Sequence, residues 1–317
     1  MTDYLLVVAG LAALVAGAEF LVRGGSGIAA RLGVSPLLVG LTVVSIGTSV
    51  PELAVGIDAA LNDAGPLAVG NIAGTNIVNV LLILGLSAAM VPLALPRQTI
   101  RIDLPVMVIS GLLLWGLAAD GALTRLDGAI LLLLAIAYTA TVIRAELTGD
   151  DDPVADAAVA EDRQGDRSIW VRVGQLLAGV AVVVIGADWL VSGSVRVASD
   201  LGVSEAVIGL TIVAIGTSAP ELVTTIMSTI RGDRELAIGN LIGSSIYNVT
   251  FILGVTSLVR PIRVTSELIR IDLPLMAAVA LICVPIFVTG RRVTRFEGMA
   301  MVAAYVVYLG LLIALRA

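Results

Sequence analysis

Apolar runs of about 20 residues, the length that carries an α-helix across a bilayer, recur from end to end of this chain. Ten can be marked, at roughly 3–22, 34–60, 66–90, 101–119, 125–145, 169–191, 203–230, 235–258, 271–290 and 295–315. With 58% hydrophobic and 14% charged residues, the chain has too little polar surface to cover these runs in water; an ordinary soluble domain is about a quarter charged. In lipid every backbone polar group must be satisfied within the structure, so runs of this length fold as helices. The sequence predicts an all-α membrane protein. The first run lacks a basic flank and a cleavage signal, so it is expected to stay as a span.

The side-chain inventory removes several kinds of chemistry. There is no histidine, which excludes imidazole zinc sites and Ser-His or Cys-His nucleophiles. Lysine is absent too, and all nineteen basic residues are arginine. The single cysteine, Cys283, lies inside an apolar run and reads as a small buried side chain. No enzymatic activity and no cofactor are expected. The net charge of -6 collects between 146 and 166, where Glu146, Asp150, Asp151, Asp152, Asp156, Glu161, Asp162 and Asp166 cluster as a solvated loop.

The chain is written twice. Gly47-Thr48-Ser49-Val50-Pro51-Glu52-Leu53 returns 169 residues later as Gly216-Thr217-Ser218-Ala219-Pro220-Glu221-Leu222. The same shift matches twelve of the 21 positions in 40–60 and repeats Ile100-Arg101-Ile102-Asp103-Leu104-Pro105 letter for letter at 269–274. Shared apolar composition would not keep Pro-Glu and Arg-Ile-Asp-Leu-Pro in one register. The expected organisation is a five-helix repeat over 1–146, an acidic linker over 147–168 and a second five-helix repeat over 169–317. An odd number of spans makes the second repeat enter from the side where the first leaves, so the two are inverted, with a site expected between them near the midplane.

Arginines orient the whole. With the N-terminus outside, thirteen arginines fall on the inner side and six on the outer. This predicts a multi-pass cell-membrane protein with both termini extracellular and the 147–168 loop cytoplasmic.

The polar residues inside the spans form stripes. Ser45, Thr48, Ser49 and Glu52 share one helix face in the second span, and Ala214, Thr217, Ser218 and Glu221 share one in the seventh. Asn71, Thr75 and Asn79 line the third span; Asn240, Ser244 and Asn248 line the eighth. Charge at membrane depth costs about 2.5–3.5 kcal/mol on insertion scales, so the stripes should face one another. Pro51 and Pro220 lack an N–H, which frees carbonyls one turn earlier, near Gly47 and Gly216. Only oxygen is on offer, which suits a hard cation. Glu52 and Glu221 supply four oxygens and the Thr48 and Thr217 carbonyls make six, within the about 6–8 that calcium takes.

Other residues have plainer readings. Gly47, Gly70, Gly74, Gly85 and their repeat partners suit close helix packing. Glu19 with Arg23 four residues on reads as an interfacial ion pair, and Asp103 and Asp272, each two residues after an arginine, read the same way.

The paired Gly-Thr-Ser-x-Pro-Glu segments, each followed by Gly-Asn-x-x-Gly-[ST]-[NS]-Ile-x-Asn, resemble the alpha repeats of the cation/calcium exchanger superfamily. The likeness is strongest to prokaryotic sodium/calcium exchangers and covers nearly the whole chain. It implies a ten-helix bundle in which spans one and six slide across the rest. It implies calcium at Glu52, Glu221 and the carbonyls of Thr48 and Thr217. Sodium, or another coupling ion, is implied at Ser45, Ser49, Thr75, Asn79, Ala214, Ser218, Ser244 and Asn248. The function implied is exchange of calcium for sodium by alternating access, with a proton/calcium exchanger or a passive cation channel as alternatives. Asn248 departs from the aspartate that many such exchangers carry, which leaves the coupling ion and stoichiometry open. The expected partners are the lipid bilayer and inorganic cations, with no nucleic acid and no obligate protein partner.

Overall fold

A computed structural model describes residues 2–148, 168–202 and 214–316. The first half runs through α1 (Thr2–Leu32), α2 (Pro36–Thr48), α3 (Val50–Leu61), α4 (Gly65–Met90), α5 (Thr99–Asp120) and α6 (Arg125–Leu147). The second runs through α7 (Ile169–Asp200), α8 (Ala214–Thr217), α9 (Ala219–Arg231), α10 (Arg234–Val259), α11 (Leu268–Val288) and α12 (Arg295–Arg316). Among the described residues, eight helices are long and apolar enough to cross a membrane, and α2 with α3 forms a ninth span bent by 43°. The protein is a multi-pass, all-helical membrane protein. The start of the expected seventh span, 203–213, lies outside the described residues, as do 149–167 of the acidic linker and the side chain of Ala214.

Local signals set the helix ends. Thr124 and Asp127 close a capping box at the start of α6. Thr294 and Glu297 make the same reciprocal bonds before α12. Helices α1 and α7 outrun their apolar segments and stop only at Leu32 and Asp200. No proline or turn residue halts them earlier; each ends before a glycine with positive φ, Gly33 at +69° and Gly202 at +78°.

Those two helices pack antiparallel along a line of glycines. A Cβ on Gly10, Gly17 or Gly24 of α1 would lie 2.5–2.7 Å from the backbone nitrogen of Leu190, Val183 or Leu176 in α7. Gly179, Gly186 and Gly193 return the contact from the α7 side. The backbones touch where any side chain would hold them apart, which is how small residues bring membrane helices together.

The central core lies between α4, α5, α10 and α11, where Ile72, Ile77, Leu84, Leu104, Ile242, Ile246, Leu253 and Leu273 are buried. Among the described residues, five stretches widen to π-helix: Gly40–Val44, Val78–Leu84, Thr99–Asp103, Asn248–Ile252 and Leu268–Asp272. Nothing in the residue pattern announces them, and two hold Asn79 and Asn248. Short antiparallel ladders tie the halves together: β1 (Leu93–Ala94) pairs with β4 (Arg292–Val293), and β2 (Ala122–Leu123) pairs with β3 (Ile262–Arg263).

Three sequence readings change. Asp103 is not an interfacial ion pair: it is fully buried and accepts a hydrogen bond from the Tyr138 hydroxyl at 3.0 Å, whereas Arg101 is exposed. Residues two apart on a helix point to opposite sides, so Arg101 and Asp103 cannot share a face. Glu146 belongs to no solvated loop, because its carboxylate takes both the N–H and the hydroxyl of Ser35 at the start of α2. Glu19 does pair with Arg23, at 2.5 Å, and also holds Arg231 through two guanidinium nitrogens, which joins α1 to the end of α9.

Candidate cation site

The two Gly-Thr-Ser-x-Pro-Glu segments are breaks between helices. Helix α2 stops at Thr48, Ser49 turns at φ -87° and ψ 10°, and α3 begins with Pro51 in its first turn. Helix α8 stops at Thr217, Ser218 turns at φ -86° and ψ 6°, and α9 begins with Pro220 in the same place. Proline is tolerated in a first turn because its missing N–H needs no partner there. Glu52 and Glu221 therefore each sit in the first turn of a helix, where the unbonded N–H groups favour a negative charge. The long helix α7 passes both breaks, with Val180 against Gly47 and Val191 against Gly216.

Glycines also let α10 approach α2. A Cβ on Gly239 would lie 2.6 Å from the Leu37 carbonyl oxygen, and one on Gly243 would lie 2.7 Å from Ser45 Oγ. The close approach brings two polar residues of α10, Asn240 and Ser244, across to α2. The Thr48 hydroxyl donates to Asn240 Oδ1 at 3.1 Å, Asn240 Nδ2 donates to Thr225 Oγ1 at 3.0 Å, and the Ser244 hydroxyl reaches the Ser45 carbonyl at 3.4 Å. The Ser49 hydroxyl donates to Glu221 Oε1 at 3.1 Å, so the break of one half touches the carboxylate of the other. The Ser45 hydroxyl donates back along its own helix, to the Leu41 carbonyl at 2.6 Å.

Burial is complete around the carboxylates. Glu52, Glu221, Ser45, Ser218, Ser244, Asn79, Asn240 and Asn248 have no exposed surface, and Thr48, Ser49 and Thr75 have almost none. Thr217 is half-buried. The two glutamates lie close enough for their charges to repel. Many of the buried polar atoms have no protein partner: both Glu52 oxygens, Glu221 Oε2, Thr75 Oγ1, Ser218 Oγ, Asn248 Oδ1 and both amide atoms of Asn79. Buried polar groups are almost always hydrogen-bonded, so a cluster of orphaned oxygens marks a place for a ligand that takes oxygen donors. A cation fits that demand, and two carboxylates would match the charge of one divalent ion.

Two features escaped the sequence reading. Helix α9 continues from Glu221 with Thr224, Thr225, Ser228 and Thr229, all buried, and Thr224 and Ser228 have no partner for their hydroxyls. The equivalent residues of α3 are Val55, Gly56, Ala59 and Ala60. Their offsets from Glu221 (three, four, seven and eight) were available as a signal. The second feature is Asn76, one residue beside the stripe of α4, which bonds Asn248 across the halves.

A family description, "Sodium/calcium exchanger protein", matches residues 2–144 and 171–314, nearly the whole of both halves. The chain belongs to that family. Exchangers of this family are transporters, and the chain is accordingly no enzyme. It is 35% identical over 308 residues to the putative antiporter CaxA of Alkalimonas amylolytica, covering 96% of each chain. It is 33% identical over 341 residues to the sodium/calcium exchanger MaX1 of Methanosarcina acetivorans, covering 97% of each. Its fold is similar to a solved structure of the sodium-calcium exchanger NCX_Mj soaked with Na+ and Ca2+, with a TM-score of 0.85 and 27% identity over 100% of this chain and 99% of that one.

Proposed function

We propose that this exchanger moves calcium against sodium by alternating access to one cation centre held between two inverted repeats. The observation that carries the reading is Glu52, fully buried with neither carboxylate oxygen bonded to the protein, close to the equally buried Glu221. Glu52, Glu221 and the carbonyls of Thr48 and Thr217 hold calcium in this reading. Ser45, Ser49, Thr75, Asn79, Ala214, Ser218, Ser244 and Asn248 hold sodium. The naming of MaX1 and NCX_Mj as sodium/calcium exchangers supports the choice of ions.

Two carboxylates neutralise one calcium ion. Once it leaves, the buried pair of charges repels, and returning to the other face requires that sodium take its place. That requirement makes the protein an exchanger and opposes a leak. Equivalent features 169 or 170 residues apart support ten spans in two repeats, 1–146 and 169–317, joined by the acidic 147–168 linker: Gly33 and Gly202, Thr124 and Thr294, Leu93 and Ile262. The excess of arginine on one set of loops supports extracellular termini and a cytoplasmic linker.

The test is counterion-resolved flux in proteoliposomes. An imposed sodium gradient is expected to drive calcium uptake, and a pH gradient alone is not. Uptake that follows the pH gradient and ignores sodium would make protons the coupling ion. Calcium entry without any counterflow would make the protein a channel. If three sodium ions exchange for one calcium, one net charge crosses per cycle, and the driving force shifts with membrane potential by about 2.3 kcal/mol per 100 mV.

A further inference from the structure

We propose that Asn76 is the positioning residue for Asn248, and that it fixes which end of the Asn248 amide faces the cation centre. The Ser245 backbone carbonyl can only accept, and it lies 2.9 Å from the Asn76 amide, so Asn76 must present Nδ2 to it. The other end of Asn76, Oδ1, then faces Asn248 and accepts from Asn248 Nδ2 at 3.1 Å. Asn248 is thereby turned with its own Oδ1 away from Asn76, and no protein donor reaches that oxygen. All three residues are buried, Asn76 the least so at 7% exposure, so water offers little competition for these bonds.

Asn79 of the first half has no such lock. The second-half residue equivalent to Asn76 is Ser245, whose hydroxyl is spent on the Leu241 carbonyl at 2.9 Å. Asn79, the equivalent of Asn248, has neither amide atom bonded to the protein. One amide of the centre is therefore free to turn and the other is held oxygen-inward. This orientation matters because an asparagine has one accepting end and one donating end, and a cation is repelled by the second. An aspartate has two accepting oxygens and needs no such guide.

The inference rests on the reading of Asn248 as a sodium ligand, so its test separates the two. In proteoliposomes of the full-length protein, half-saturating sodium and calcium and the maximal rate are measured for Asn76→Ala, Asn248→Asp, Asn248→Ala and the Asn76→Ala/Asn248→Asp pair. Asn76→Ala is expected to raise half-saturating sodium about ten-fold, the size of one oriented hydrogen bond, and to leave half-saturating calcium nearly unchanged. In the Asn248→Asp background the same change at Asn76 is expected to have no effect on sodium. An equal sodium shift in both backgrounds, or none in the wild type, overturns the positioning role. If Asn248→Ala shifts sodium and Asn76→Ala does not, only the positioning role fails. If Asn248→Ala shifts neither ion, the ligand reading fails and takes this inference with it. Should Asn76→Ala not accumulate as folded protein, Asn76→Ser, the side chain that the other half carries there, makes the same comparison.

Discussion

Replacing Glu52 or Glu221 by glutamine is expected to abolish calcium exchange while leaving the protein folded. Glutamine keeps the shape but removes one of two charges and turns one oxygen into a donor aimed at the ion. Breaking a buried charge pairing costs about 3–5 kcal/mol, about two to four orders of magnitude in calcium affinity. Stability should move the other way, because in the absence of ions two buried carboxylates repel and one glutamine relieves them. Calcium binding by calorimetry, together with a melting temperature in detergent, separates these effects. The two variants need not be equal. Glu221 keeps the Ser49 hydroxyl as a partner, and neither Glu52 oxygen has a side-chain donor, so Glu52→Gln is expected to have the larger effect on calcium. Wild-type calcium flux in Glu52→Gln would remove the site.

The second large effect is expected at Gly17. A Cβ there would lie 2.7 Å from the Val183 nitrogen, 2.8 Å from Val183 Cγ2 and 3.1 Å from the Gly179 carbonyl oxygen. Overpacking typically costs about 1–3 kcal/mol when side chains can shift. Here two of the three obstacles are backbone atoms, and they cannot rotate away. Gly17→Ala should lower the melting temperature and slow exchange, and Gly17→Leu should prevent α1 and α7 from pairing and eliminate exchange. Gly310→Ala in α12, where nothing described lies within 4 Å of the added carbon, is the control and should change neither. Unaltered transport in Gly17→Leu would show that close contact of these helices is dispensable.

Much of this was legible in the residues. Length and hydropathy suffice to mark the eight described helices that can cross a membrane and the bent α2–α3 pair, because lipid leaves a backbone few options. The polar stripes could be read because a helix puts residues three and four apart on one face, and Ser49 and Glu221 do meet across the halves. The π-helical widening at Val78–Leu84 and Asn248–Ile252 was not legible, since it rearranges backbone bonds without a residue signature. Asp103 was misread because adjacency in sequence to Arg101 says nothing of which face each takes, and its partner Tyr138 lies 35 residues away on another helix. Glu19 was half-read: Arg23 is local, but Arg231 is reached only through the fold. The orientation of Asn248 could not be foreseen, because it passes from the carbonyl of Ser245 through a neighbour whose counterpart in the other repeat is a serine.

The hydroxyls that follow Glu221 make the two halves unlike beside their glutamates. Buried Thr224, Thr225, Ser228 and Thr229 continue α9, where α3 carries Val55, Gly56, Ala59 and Ala60. If the proposed cation centre is reached along these two helices in turn, an ion is expected to shed or regain its hydration more easily beside α9 than beside α3. A repeated sequence would then not produce a machine that looks the same from both faces of the membrane. Half-saturating sodium should differ between the inner and outer face of oriented vesicles, and Thr224→Val with Ser228→Ala should bring the two values together. Equal values in the unaltered protein would mean that entry of water does not limit either approach.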